Sequence, residues 1–284
     1  MKPVLQAIGA VALSGLLAEA AGAADVGLAP DDPVFDISVV VAGATDYMDS
    51  GFTNSGHDPS GGITITPKYG IFNGTIYAAT IDYGLPEPDL ETKFAIGATP
   101  EFGRLSVDFN LARRIKFDDP SEDRWVPYVT GTYTFNDNVD ASLGVGYYAY
   151  DDSAEADYGE LYAASTVTHD SGAYITTEFF LEPDSDELNN AYYAVYGTVG
   201  VPFLEKFEAV GKVGFEGYED PATPSYTWYE ASVKYNLNGH VGFGLAYHGS
   251  DLSTAECAVQ GYTDCDDSVF ATITLKGNLS DLGK

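Results

Sequence analysis

Apolar and polar residues alternate with a period of two in fourteen segments of the chain. The segment 139–150, VDASLGVGYYAY, is an example: Val139, Ala141, Leu143 and Val145 alternate with Asp, Ser and Gly, and tyrosines follow. This pattern predicts β-strands with one apolar face. The predicted strands span 34–45, 62–69, 72–83, 90–99, 103–114, 125–135, 139–150, 158–168, 173–182, 190–200, 206–216, 226–236, 240–249 and 267–277.

The length of these strands and their connections indicate a membrane. Strands of soluble proteins usually have about five or six residues, whereas a tilted strand needs about 9 to 11 to cross a bilayer. Short and long connections alternate along the whole chain, as in transmembrane barrels. We therefore predict an all-β fold: a single transmembrane antiparallel up-and-down β-barrel of about 14 strands, with 12 as the alternative count, short periplasmic turns and longer acidic extracellular loops.

A soluble β-sandwich is the competing fold, because its strands also alternate and its two inner faces would hold the same apolar residues. Three features favour the barrel over the sandwich: the strand length, the alternation of short and long connections, and the tyrosines near strand ends. In a barrel, the apolar face of each strand points to lipid and the tyrosines reach the membrane interface.

The beginning of the chain predicts export. Lys2 precedes an apolar run at 4–17, and small residues follow at 21–23. The run is shorter than the roughly 20 residues of a membrane anchor, so we predict a cleaved signal peptide at 1–23. An N-terminal periplasmic segment (24–33), the barrel (34–279) and a C-terminal tail (280–284) would follow it, in the outer membrane of a bacterium.

The formal net charge of −30 excludes nucleic acid as a partner and attracts cations. Most acidic residues fall in the longer connections and predict an acidic outer rim: Asp118, Asp119, Asp151, Asp152, Asp184, Asp186, Glu219 and Asp220. Expected partners are outer-membrane lipid and lipopolysaccharide, bridged by divalent cations, and the outer-membrane assembly machinery. The acidic segment 183–187 lacks the Gly and distal Glu of an EF-hand loop, so we predict no dedicated metal site.

Two cysteines, Cys257 and Cys265, lie close together in a polar segment. In an exported chain this spacing favours a disulfide that closes a small loop over a metal site or a reactive thiol.

Two stretches, TDYMDSGFT (45–53) and GIFNGTIYAATIDY (70–83), resemble the TorF family of outer-membrane porins. The residues at the family's motif positions are Asp46, Tyr47, Gly51, Gly70, Phe72, Gly74, Thr75, Asp82 and Tyr83. Ser50 stands where the family usually has arginine, and Ile76 where an aromatic is common. The resemblance covers about the first quarter of the mature chain and implies a membrane barrel and a channel, without a substrate. Many outer-membrane barrels end on an aromatic residue, whereas this chain continues past Leu279 to Lys284.

The sequence offers little catalytic chemistry. The four histidines are scattered, and no hydrolase, zinc-protease or paired-cysteine motif occurs. A rim hydrolase could use His240, His248 and Ser250, but polar lumen residues are commoner. We therefore predict no enzyme and no cofactor.

Strand parity predicts the residues that line the lumen: Lys93, Arg104, Asp108, Glu178, Glu208, Lys212, Glu230 and Lys234. The predicted function is a passive channel for small hydrophilic solutes, with a preference for cations that the acidic mouth concentrates. One alternative is a structural or surface-interaction protein with a closed lumen, whose acidic loops bind divalent cations, lipid or another partner. A soluble periplasmic binding module is another.

Overall fold

The computed structural model describes residues 35–81, 89–117, 122–151, 157–183, 190–260 and 264–283. Its strands are β1 (Phe35–Ala44), β2 (Met48–Asp49), β3 (Phe52–Thr53), β4 (Ser60–Tyr69), β5 (Phe72–Ile81), β6 (Asp89–Ala98), β7 (Glu101–Phe102), β8 (Leu105–Lys116), β9 (Arg124–Asn136), β10 (Val139–Tyr150), β11 (Tyr158–Thr168), β12 (Tyr174–Glu182), β13 (Tyr192–Phe203), β14 (Phe207–Tyr218), β15 (Tyr226–Asn238), β16 (Val241–Ser250) and β17 (Ser268–Asn278).

Fourteen of these strands form one closed antiparallel barrel. Successive barrel strands pair with each other, and β1 pairs with β17 to close the ring. The strands β2 and β3 form a separate hairpin, and β7 is a two-residue bridge to β8. The predicted fold is confirmed with fourteen strands, and the predicted boundaries differ from the observed ones by at most about three residues. The alternative count of twelve is wrong.

The outer wall of the barrel is apolar. Along β10, Leu143 is 71% exposed and Val145 53% exposed, whereas Gly144 between them is buried. Exposed aromatic side chains form a girdle near each end of the barrel. Near the long connections they are Trp125, Tyr147, Tyr193, Tyr229 and Tyr247, and near the short turns they are Phe35, Tyr69, Phe72, Phe102, Tyr133, Phe135 and Phe203. An apolar band between two aromatic girdles is typical of barrels in a bilayer.

In the part of the chain that the structure describes, two short helices lie outside the barrel strands. The helix α1 (Thr254–Val259) belongs to the last long connection and begins with a capping box between Ser253 and Glu256. A 3-10 helix (Leu279–Gly283) follows β17. Ser280 donates hydrogen bonds from its N–H and its hydroxyl to the Asp36 carboxylate, both at 3.0 Å, and so ties this helix to β1. Within the described residues, no helix has the length and apolar character needed to cross a membrane.

The structure does not describe residues 1–34, so the predicted signal peptide and periplasmic segment lie outside the described residues. The barrel strands run from Phe35 to Asn278. The first residues of the predicted C-terminal tail lie in the 3-10 helix.

Candidate functional site: the barrel lumen

The half of the lumen near the short turns is lined by small polar side chains. Inward-facing serines and threonines bond across neighbouring strands: the hydroxyls of Thr132 and Ser142 lie 2.8 Å apart, and those of Thr166 and Thr176 lie 3.0 Å apart. Most of these side chains are only partly buried. Hydroxyls bond readily to water, so this half of the interior suits water and hydrophilic solutes.

The half near the long connections is packed with aromatic and charged side chains. Glu216 is fully buried and accepts hydrogen bonds from the hydroxyl of Tyr192, the hydroxyl of Tyr196 (2.8 Å) and Nε1 of Trp228 (3.1 Å). The Tyr196 ring also contacts Phe180, with centroids 5.4 Å apart. The Glu216 carboxylate thus cross-links the inner faces of β13, β14 and β15 at this level.

The first long connection folds into the barrel. We call residues 45–59 the inward loop. Its residues 46–55 are buried without exception, although they are mostly polar, and they include the hairpin of β2 and β3. Phe52, at 0% exposure, packs with Tyr226 and Trp228 of β15. The predicted strands 34–45 and 62–69 leave 46–61 as one of the longer connections, which the sequence analysis expected to be extracellular. The structure corrects this, because residues 46–55 are buried against the inner wall.

Gly51 makes the closest approach between the inward loop and the barrel wall. Its φ of +100° is unusual for a residue with a side chain. A Cβ at this position would lie 2.9 Å from Cβ of Ser250 and 3.1 Å from the Tyr226 ring. Glycine therefore satisfies both the backbone conformation and the lack of space.

Two residues of β16 hold the backbone of Gly51. Its N–H donates to Nε2 of His248 (3.0 Å), and the Ser250 hydroxyl donates to its carbonyl (3.1 Å). Because Nε2 accepts a hydrogen bond, the proton of a neutral His248 ring lies on Nδ1, which is 3.5 Å from Oε2 of Glu230. The His248 ring also stacks on Trp228. The sequence analysis named His248 as a catalytic candidate; the structure shows it positioning a loop.

Asp46 organises the other end of the inward loop. Its carboxylate accepts hydrogen bonds from the hydroxyls of Thr53 (2.7 Å), Ser55 (3.2 Å) and Ser268 (2.6 Å). Burial acts to raise the pKa of Asp46, but these hydrogen bonds, together with the one to His57, lower it below its ordinary value. Asp46 is therefore ionised and ties the inward loop to the start of β17.

His57 lies between two carboxylates. Its Nδ1 is 2.7 Å from Oδ2 of Asp46, and its Nε2 is 3.0 Å from Oδ2 of Asp264. Burial would lower the pKa of His57, but the hydrogen bond and charge of Asp46, with those of Asp264, raise it above the ordinary value. The His57 ring thus links the inward loop to the last long connection.

The predicted disulfide between Cys257 and Cys265 is confirmed. Both cysteines are buried and belong to the hydrophobic cluster of Phe52, Tyr226 and Trp228. The bond therefore does more than close a small loop, because it packs α1 and the start of the following segment against the inward loop.

The structure places the residues predicted to line the lumen as follows. Arg104 lies in the turn before β8, is exposed, and donates to the Phe135 carbonyl (2.7 Å). The others lie at inward-facing strand positions: Lys93, Asp108, Glu178, Glu208, Lys212, Glu230 and Lys234. Two opposite-charge pairs face each other across β14 and β15, Glu208 with Lys234 and Lys212 with Glu230. Opposite charges at paired strand positions stabilise a sheet.

The acidic rim is described only in part, since Asp118, Asp119, Asp152, Asp184 and Asp186 lie outside the described residues. The Asp151 carboxylate accepts from both terminal nitrogens of Arg113, and its hydrogen bonding to Arg113 holds the pKa of Asp151 below its ordinary value. Glu219 accepts from the Ala191 N–H (3.1 Å) and Asp220 from the Ala222 N–H (2.9 Å). No group of three or more metal-ligating side chains occurs in the described part of the chain.

Sequence reasoning missed several residues of the interior. Glu216 shares the strand face of Glu208 and Lys212, so parity alone could have found it. Arg114 and Arg124, both almost fully buried, face the lumen from β8 and β9. The inward loop had one signal, the motif TDYMDSGFT, whose residues Asp46 and Gly51 make the loop's anchoring contacts.

A scan against protein-family models gives no match, and neither does a search of the curated proteins. Among solved structures, the chain is similar to a porin, with a TM-score of 0.52 and 12% identity over 87% of this chain and 100% of that one. It is also similar to OmpF of Salmonella typhi in complex with daunomycin (TM-score 0.56, 9% identity, 86% of this chain and 97% of that one). A bacterial polysaccharide outer-membrane secretin gives a TM-score of 0.52 at 9% identity, over 86% and 97% of the two chains. At these identities the similarity concerns the fold, which is that of bacterial outer-membrane porin barrels.

Proposed function

We propose that the protein is an outer-membrane channel through which small hydrophilic solutes diffuse passively. The observation that carries this proposal is the contrast between the two faces of the wall. The outside is an apolar band between aromatic girdles, and the inside near the short turns is lined by serine and threonine hydroxyls. Such a wall is stable in lipid and holds water within.

The proposal includes the parts of the chain that lie outside the barrel. Residues 1–23 would direct export, 24–33 would form a periplasmic segment, and the barrel would be inserted by the outer-membrane assembly machinery. Divalent cations at the acidic rim would bridge it to lipopolysaccharide. The resemblance to TorF-family porins supports this assignment, because the matched residues Asp46, Tyr47 and Gly51 are all buried in the inward loop or contact the wall.

We further propose that the channel prefers cations. The chain has a formal net charge of −30, and carboxylates of Glu178, Glu216 and Glu230 lie on the interior face of β12, β14 and β15. A negative field in a narrow passage raises the local concentration of cations and repels anions.

The test is a current measurement on the refolded mature chain in a planar bilayer under a salt gradient, after heat-modifiable gel migration has confirmed folding. We expect discrete current steps and a reversal potential whose sign shows that cations permeate more readily than anions. The double variant Glu178→Gln/Glu230→Gln should lower the cation-to-anion permeability ratio by about a factor of two, because it removes two negative charges from the interior wall.

Glu101→Gln is the matched control, since it removes the same kind of charge from an exposed residue at the short-turn end. An equal change in the control and in the double variant would contradict the assignment of Glu178 and Glu230. Folded, inserted wild-type protein without current steps would contradict the channel. It would favour the second candidate, a surface protein with a closed lumen, for which the packing of the inward loop against β15 and β16 is the supporting observation.

A further inference from the structure

Three basic side chains stand next to one another on the interior wall. Lys93 of β6 pairs in register with Arg114 of β8, and Arg114 pairs with Arg124 of β9. We call these three residues the basic row. Like charges at directly paired positions repel each other, and this row occurs in a chain whose net charge is strongly negative.

The basic row contains more cations than directly paired carboxylates, and Glu182 also lies in the field of Arg124. Nη2 of Arg114 lies 2.6 Å from Oε1 of Glu91, and Nη1 of Arg124 lies 3.1 Å from Oε2 of Glu122. Lys93 forms no ion pair with a residue that the structure describes, although it lies in the field of Glu91. Three cations of the row therefore share two directly paired carboxylates.

Two N–H groups of the basic row also lack acceptors. Nη1 of Arg114 and Nε of Arg124 are buried and have no hydrogen-bond partner in the described part of the chain. The two side chains are 7% and 2% exposed. Buried donors are almost always satisfied, so two unsatisfied guanidinium N–H groups on residues paired in register indicate a missing acceptor.

Aromatic rings hold the basic row in place, and Lys93 is its most exposed member. The Arg124 guanidinium lies over the rings of Tyr148 and Tyr150, at 5.9 Å and 5.2 Å from their centroids. Lys93 is only half-buried. A ligand would therefore approach from the lumen at Lys93 and meet guanidinium groups that are already oriented.

We propose that Lys93, Arg114 and Arg124 form a binding site for the oxyanion group of a small solute inside the barrel. A group with two or more acceptor oxygens satisfies both guanidinium N–H groups and neutralises the ammonium of Lys93. Carboxylates and phosphates share this chemistry, whereas chloride is a single atom and cannot accept from several separate donors with the same geometry. The site goes beyond the proposed channel function and does not require conduction.

The experiment is isothermal titration of the refolded protein in detergent with sodium succinate, sodium phosphate and sodium chloride at constant ionic strength. We expect succinate, phosphate or both to bind more tightly than chloride; a preference between the two identifies the oxyanion. Lys93→Gln should weaken that binding by about tenfold, the effect of one charge-assisted contact.

Lys206→Gln is the matched control, because Lys206 is exposed in a short turn and donates to the Leu237 carbonyl. The control should bind as wild type does. Arg114→Gln alone would leave buried Glu91 without its partner and could prevent folding, so the second variant is Glu91→Gln/Arg114→Gln, which removes both charges together. It should lose binding while keeping heat-modifiable migration.

Three results would overturn the proposal: oxyanion binding no tighter than that of chloride, equal weakening by Lys93→Gln and Lys206→Gln, or full affinity in the folded double variant. Because binding is measured in detergent solution, a channel that conducts no current leaves the test intact, and failure of one proposal is distinct from failure of the other.

Discussion

His57 is a single side chain that couples two distant parts of the chain. It contacts Asp46 within the inward loop and Asp264 beside the disulfide. A histidine whose pKa is raised in the folded state stabilises that state below its unfolded pKa, and the stabilisation is lost as the pH rises through the folded pKa. The inward loop should therefore be held more firmly at neutral than at alkaline pH.

Asp49 of the same loop titrates over a different pH range. Burial, together with the field of Glu216, raises the pKa of its carboxyl from 3.8 to about 7, while a hydrogen bond from Ser50 opposes the shift. A raised carboxyl pKa weakens the packed state as the pH rises from the ordinary value to the raised one, and it adds no further change above that. Because Asp49 is still half-protonated near pH 7, a His57 variant is needed to separate the two contributions.

We expect hydrogen-exchange protection of residues 45–59, corrected for the intrinsic rate, to fall as the pH rises above the ordinary histidine pKa of about 6.5 and through the raised pKa of His57. Because His57 is 38% exposed, the change should amount to roughly 0.5–1 kcal/mol. His57→Gln should reduce the fall to the part that Asp49 contributes, whereas His169→Gln, in an exposed short turn, should retain it in full. Identical profiles for wild type and His57→Gln would remove His57 from this role.

The faces of lumen residues could be predicted because strand parity depends only on the local sequence. Glu178, Glu208 and Glu230 face the interior, as their parity indicates. Arg104 lies in a turn because β8 begins one residue later, at Leu105. The partners of Glu216 and His248 could not be predicted, because they come from strands and loops that are distant in the sequence.

At the scale of elements, the strands were predictable and the inward loop was not. Each strand carries its own signal, the alternation of apolar and polar residues. The inward loop depends on contacts such as Gly51 with His248 and Asp46 with Ser268, which join the first connection to the last two strands. From its sequence alone, a polar segment of this length is predicted to be a solvated loop, because the residues that bury it are distant in the sequence.

The last long connection, which contains the disulfide, packs against the inward loop. Cys257 and Cys265 pack with Phe52, and the Thr53 N–H donates to the Asp264 carbonyl (3.4 Å). The bond joins residues eight positions apart, and closing a loop of that size stabilises it by roughly 2–3 kcal/mol.

Cys257→Ser/Cys265→Ser should therefore reduce the hydrogen-exchange protection of residues 45–59, while the barrel keeps its heat-modifiable migration. Reduction of the folded wild type with a thiol should reproduce the effect, and re-oxidation should reverse it. Unchanged protection in both the variant and the reduced protein would show that the inward loop is held without the disulfide.

At the scale of the whole molecule, the inside-out distribution of apolar residues distinguishes a membrane barrel from a water-soluble one. Leu143 and Ser142 are neighbours on β10 and face opposite sides: Leu143 is 71% exposed on the outer wall, and the Ser142 hydroxyl bonds to Thr132 inside. In lipid, these two positions have different tolerance for charge.

Leu143→Arg should lower the free energy of unfolding from lipid vesicles by about 2–4 kcal/mol, the cost of a basic side chain near the middle of the bilayer. Ser142→Arg, on the lumen face, should cost only about 1 kcal/mol through its lost hydrogen bond. Chemical unfolding in vesicles followed by tryptophan fluorescence measures both. A smaller cost for Leu143→Arg than for Ser142→Arg would contradict the membrane orientation of the wall.

The pairing of β1 with β17 gives the ring a seam. Other pairings between the described barrel strands join consecutive strands, so each can form as a local hairpin with little loss of chain entropy. At the seam, Ser38 meets Asn278, and this contact becomes available only when the last strand is in place. A sheet that lacks only this pairing has two open edges, the form most prone to pairing with another chain. The hazard of misassembly is greatest immediately before the ring is sealed.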